Sequence, residues 1–193
     1  MNEKKAYLTV KDHSVSGETF DLIKNSEYGF LETIPQPSLE KLPNYYKSED
    51  YISHTDSKRN LFENVYHLIR GISLKQKMRL INSCTSSEKK LLDGIEPNEH
   101  ARAIANKKTD HSVFDVDQLL KFKPNSFDVI TLWHVLEHLP NLEEQIQVFK
   151  NLLKLDGTLI IAAPNFNSYD AKFYKSHWAA FDAPRHLWHV IKT

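Results

Sequence analysis

Three groups of residues have types and spacings suited to chemistry. The first is Trp133-His134-Val-Leu-Glu137-His138, which closes the apolar run beginning at Phe127. On a helix, His134 and His138 would share one face and hold zinc, with Glu137 as general base. That arrangement needs His134 well inside a helix and a third ligand downstream. The run Phe127 to Trp133 is strand-like instead, which puts His134 at a turn. The second group is Asp93, Glu96 and Asp115, acids that end short apolar stretches. The third is the aromatic, polar tail, with Trp178 and then Asp182-Ala-Pro-Arg185-His186. The pKa of histidine suits His134, His138 and His186 to proton transfer near neutrality. The planar fork of Arg185 matches an acidic acceptor.

The elements needed to position these groups follow from hydrophobic patterning. Phe127 to Leu132 reads as a strand buried on both faces, and such strands deliver their last residues to the ligand-binding edge of an open α/β sheet. Leu91 to Asp93, Gly94 to Glu96, Val113 to Asp115 and Thr158 to Ala163 read as further strands. Between them, Asn98 caps a helix burying Ala101, Ile104 and Ala105. Asn141 caps another burying Ile146, Phe149, Leu152 and Leu153, which Asp156-Gly157 ends. Upstream, Ser57 caps a helix carrying Leu61, Val65, Leu68 and Ile69; Gly71 stops it and Ser73 opens a second with Leu74, Met78 and Ile81. The alternation predicts an α/β fold, Rossmann-like and doubly wound, with a mostly parallel sheet and helices on both faces, over residues 57–193. Residues 1–56 read as an irregular N-terminal segment with short strands at Tyr7 to Val10 and Thr19 to Ile23. Its aromatic run from Tyr45 to Tyr51 wraps the main domain or meets a ligand. The tail after Asn165 forms either a lid over the sheet edge or a packed irregular end.

Bulk composition narrows the function classes. Lys and Arg number 25 and so do Asp and Glu, so no basic field points to nucleic acid. The one cysteine, Cys84, excludes an internal disulfide and a cysteine-based zinc cage, and predicts a reducing, cytoplasmic setting. No apolar run spans a bilayer. The expected partner is a small molecule.

Taken in order, Leu92-Asp93, Gly94-Ile-Glu96-Pro97, Phe114-Asp115, Phe127-Asp-Val-Ile130 with Leu136-Glu137-His138-Leu139, and Leu155-Asp-Gly157 with Ile160 to Asn165 resemble the motifs of class I S-adenosylmethionine-dependent methyltransferases. The resemblance covers roughly residues 88–190. Asp182-Ala-Pro-Arg-His-Leu187 resembles the downstream motif of a bacterial subgroup in which a zinc-ribbon-like module precedes the catalytic domain. Here Lys24 to Phe30 stands where a cysteine pair is expected and has none, so no metal is expected. The resemblance implies S-adenosyl-L-methionine as cofactor. Glu96 would take both ribose hydroxyls, Asp115 the adenine amino group, and Asp93 would border the methionine half. Trp133 and His134 would line the wall beside the sulfonium, where an aromatic face favours a cation. Trp178 and Arg185 would meet the substrate.

One departure stands out. The family places a glycine-rich turn and a helix between its first two strands, whereas Gly94 here directly follows Asp93. A parallel crossover needs a dozen or more residues. Either this sequence omits a segment between 93 and 94, together with the final strands beyond Thr193, or a deletion has removed the cofactor turn. The intact flanking motifs favour omission. Two alternatives to methyl transfer stay open: a binding module on a decayed methyltransferase scaffold, and a zinc metallopeptidase working through His134, Glu137 and His138.

Overall fold

The computed structural model describes residues 5–46, 61–85 (backbone alone for 61–69), 92–109 and 112–192. The Ser57 cap, the inward face through Leu61, Val65, Leu68 and Ile69, the Tyr51 end of the aromatic run, and Leu91 lie outside the described residues or side chains. The architecture is mixed α/β, with parallel strand pairs and helices. The chain divides into two compact units. One comprises Met1–Leu61, Thr131–Gln145 and Ile161–Thr193; the other comprises Phe62–Ile130 and Ile146–Ile160.

The first unit is built on an antiparallel sheet in the order β1 (Ala6–Lys11), β2 (Thr19–Lys24), β3 (Leu31–Ile34) and β8 (Trp188–His189). The expected strands near Tyr7 and Thr19 are present. The segment is nevertheless a regular sheet rather than an irregular one, because the tail supplies its fourth strand. Alternation along β2 and β3 turns Phe20, Leu22, Leu31 and Thr33 inward, and Leu22 and Leu31 are fully buried. They pack with Val10, Phe166, Phe181 and Ala183, and Trp178 closes one side. The residues after Asn165 therefore form a packed end rather than a lid. Leu187 is buried, and its N–H donates to the carbonyl of Glu137 at 2.7 Å.

In the second unit, β4 (Gly94–Ile95) and β5 (Val113–Phe114) pair in parallel, Gly94 with Val113 and Ile95 with Phe114. Leu92 and Asp93 are not a strand, since two residues leave no room for a crossover. α1 (Leu61–Ser83) runs unbroken through Gly71. An interior glycine costs a helix only about 1 kcal/mol, so it does not force the stop its sequence position predicts. α2 (Glu99–Asn106) is capped by the Asn98 side chain as expected, but Ile104 remains 43% exposed. Phe114, Phe122 and Phe127 pack edge to face, tying β5 to the start of β6.

β6 (Phe127–Trp133) and β7 (Leu153–Ala162) make a second parallel pair: Ser126 N–H donates to Leu152 O at one end and His134 N–H to Ala162 O at the other. α3 (Leu142–Leu152) buries Phe149 and Leu152, as its periodicity predicts. It ends at Leu152 rather than at Asp156-Gly157, and β7 begins at once. Gly157 permits this, because a Cβ there would stand 2.9 Å from the Lys154 carbonyl oxygen. The last helix, α4 (Tyr169–Tyr174), is capped by Ser168.

Candidate active site

Register sets the first group. Glu96 and Asp115 directly follow the paired residues Ile95 and Phe114, and Glu96 N–H donates to Phe114 O at 3.0 Å. Two carboxylates thus leave adjacent parallel strands at their carboxyl edge. Glu96 Oε1 accepts from the Asn98 N–H at 2.9 Å, and Asp115 Oδ1 accepts from the Val116 N–H at 2.6 Å. Each retains further acceptor capacity, because an ionised carboxylate offers about four lone-pair sites.

Arg102, which patterning did not single out, sits beneath both acids. It donates to the Glu96 carbonyl and pairs with Asp115 Oδ2 at 2.7 Å. The signal that could have found it is its position one turn into the capped helix α2, on the side of the strand tips. Asp93 is exposed.

The carboxylate pair suits a nucleoside: one acid can accept two ribose hydroxyls and the other an exocyclic amine. The opposite end of S-adenosylmethionine has no such fit. Residues 72–93 contain no glycine, so no glycine-rich turn of backbone N–H groups precedes β4.

The second group lies in the other unit. At the end of β6, Trp133 is half-buried, and His134 adopts a positive φ of 55° with its side chain 66% exposed. Only Leu136–His138 is helical, as a single 3-10 turn. The H-x-x-E-H reading fails here, since His134 and His138 do not share an α-helical face. Glu137 is 1% exposed, and His134 Nδ1 stands 3.4 Å from its Oε1. His138 Nδ1 lies 3.1 Å from the Arg185 carbonyl and 3.0 Å from the Tyr46 hydroxyl. His186 Nδ1 lies 2.9 Å from the Ala180 carbonyl. Burial, reinforced by the neighbouring His138, lowers the pKa of His186.

Arg185 and Trp178, expected to meet substrate, are committed to the protein itself. Arg185 is 3% exposed; it donates to Asp182, to the Tyr45 carbonyl and to Asp12 at 3.1 Å. Trp178 packs edge to face on Phe181 at 5.0 Å. Asp12 was not singled out either, because its partner lies at the far end of the chain. Burial pushes its pKa up, but hydrogen bonds from the Ser16 N–H and hydroxyl, and from Arg185, outweigh that and bring it to about 2. His189 is shifted downward too: burial, then the neighbouring His186, lowers its pKa to about 3, which for a base disfavours the charged form.

Residues 82–192, more than half of the chain, match the family model described as a methyltransferase domain. The chain belongs to this family of class I S-adenosylmethionine-dependent methyltransferases. Over 39 residues it is 56% identical to the ubiquinone biosynthesis O-methyltransferase of Glaesserella parasuis serovar 5 (strain SH0165). That stretch is 20% of this chain and spans 16% of the length of that enzyme. Neither match favours a zinc peptidase or a decayed scaffold. No helix among the described residues is long and apolar enough to cross a membrane.

Proposed function

We propose that this methyltransferase uses S-adenosyl-L-methionine to methylate a small-molecule acceptor, with oxygen as the acceptor atom. The observation that carries the reading is the placement of Glu96 and Asp115 on adjacent strand tips within the span matched by the family. The oxygen acceptor rests on the name of the partial relative. When bound, the cofactor supplies a methyl group on a sulfonium, open to in-line displacement.

Glu96 accepts both ribose hydroxyls and Asp115 the adenine amino group. Arg102 aligns Asp115, as a guanidinium held against a carboxylate does. Trp133 offers an aromatic wall that favours a cation. His134, the exposed imidazole, receives the acceptor proton. Asp93 borders the methionine half. The strand pairs belong to a doubly wound sheet, with residues 57–193 as the catalytic domain. A cytoplasmic setting and no nucleic-acid partner accord with the single cysteine and balanced charge.

Calorimetric titration of full-length protein with S-adenosylhomocysteine tests this. Binding weakened by about tenfold to a hundredfold in Glu96→Ala is expected, the equivalent of losing charge-assisted hydrogen bonds of about 1.5–3 kcal/mol. Equal affinity in the variant overturns the assignment of Glu96.

A further inference from the structure

Glu137 is a buried acid that the proposed reaction does not use. It is 1% exposed, and neither carboxylate oxygen has a hydrogen-bond partner among the described residues. An ionised carboxylate held this way costs several kcal/mol unless a cation compensates it. Among the described residues, the basic side chain paired with it is His134, at 3.4 Å and largely in solvent.

Two better-placed groups stand beside it. One donor atom from each of Glu137, His138 and His186 lies within 4.8 Å of the other two. The imidazoles meet edge to face, with centroids 4.6 Å apart.

Their tautomers follow from their partners. Nδ1 of His138 lies 3.1 Å from the Arg185 carbonyl and 3.0 Å from the Tyr46 hydroxyl; the carbonyl only accepts and the hydroxyl can accept, so a hydrogen on Nδ1 serves both partners. Nδ1 of His186 likewise carries the hydrogen that faces the Ala180 carbonyl. With the hydrogen on Nδ1, the neutral form of each ring presents a lone pair on Nε2. Donation from the second ring nitrogen to a backbone carbonyl is the arrangement that orients metal-ligating histidines.

The scaffold is fixed as well. Arg185, next to His186, is anchored by Asp12 and Asp182, and Leu187 N–H bonds the Glu137 carbonyl. Two imidazoles and an unsatisfied carboxylate on this backbone form a ligand set that no Lys or Arg among the described residues completes.

We propose that Glu137, His138 and His186 bind one first-row divalent cation of the zinc type. Two nitrogens and one oxygen suit zinc or cobalt, whereas magnesium and calcium prefer all-oxygen shells. Three protein ligands leave a fourth position open to water or to a substrate oxygen. The ligand set replaces the His134 of the H-x-x-E-H pattern with a histidine far along the chain. Metal binding stands independently of methyl transfer.

The test uses untagged full-length protein stripped with a chelator and titrated with Zn²⁺ against a chromogenic competitor. One equivalent should bind, and Co²⁺ in its place should give the visible absorption of a low-coordinate site. Affinity should fall by at least about a hundredfold in Glu137→Gln and in His186→Gln, beyond the range set by losing a second-shell partner. His134→Ala should bind as the parent protein does. Absence of both the zinc equivalent and the cobalt bands in the unaltered protein overturns the site without relying on any variant. So does loss of metal in His134→Ala with retention in His186→Gln.

Discussion

The carboxylates of Glu96 and Asp115 and the imidazoles of His138 and His186 meet opposite physical demands. The first pair stands at the ends of two-residue strands, with Asp115 half in solvent. Each acid there is held by a local N–H and, for Asp115, one guanidinium. The second pair, half-buried at His138 and 9% exposed at His186, adjoins a polar interior of Arg185, Asp12, Thr33 and His189, these four each under 5% exposed. Groups in water are inexpensive to hold and free to meet a ligand. Groups in the interior must be satisfied by fixed partners, so the fold itself depends on them. The proposed nucleoside site and a pre-arranged polar core can thus be told apart by what each costs to break.

The largest expected effect lies in the interior. Asp12→Ala leaves the Arg185 guanidinium short of a buried partner and should lower stability by about 3 kcal/mol or more, read from urea denaturation. A change below about 0.5 kcal/mol, the range of ordinary surface substitutions, would erase the contrast between the two regions.

The pH dependence of the interior comes next. His189 is neutral when folded, with a pKa of about 3, and takes up a proton near its ordinary value when unfolded. The unfolded chain therefore binds more protons between those limits. The stability that His189 contributes is fully present above about pH 6.5 and declines as pH falls toward about 3, by at most about 1.4 kcal/mol per pH unit for one proton. Urea midpoints at about pH 7 and about pH 5 should differ, and His189→Gln should reduce the difference. An unchanged slope in that variant would assign the effect elsewhere. Asp12 acts lower on the scale: its contribution is present above about pH 3.8 and is lost as pH falls through about 2.

The smallest effect is expected at the strand tips. Arg102→Ala removes a partly exposed ion pair and should cost stability about 0.5 kcal/mol, while weakening nucleoside binding through a less ordered Asp115. A loss of several kcal/mol would mean that the tips, too, are part of the structural core.

Local patterns were legible where chemistry is local. β1, β2, the Asn98 cap, the buried face of α3 and the acidic tips beyond β4 and β5 all follow from spacing of a few residues. Partners distant in the chain were not. Thr33 donates to the His186 carbonyl, and Arg185 reaches Asp12 across more than 170 positions. No periodicity announces such pairs, so Arg185 read as a substrate ligand and the tail as open to a lid. Gly71 misled for another reason: a helix of 23 residues absorbs an interior penalty of about 1 kcal/mol.

The central claim is that Glu96 holds a ribose and Asp115 its adenine, and nucleoside analogues test it most directly. Affinities of full-length protein for S-adenosylhomocysteine and its 2′-deoxy analogue should differ by about tenfold, one charge-assisted hydrogen bond, and the two should become equal in Glu96→Ala. A preference for the 2′-hydroxyl that survives unchanged in Glu96→Ala would contradict the account.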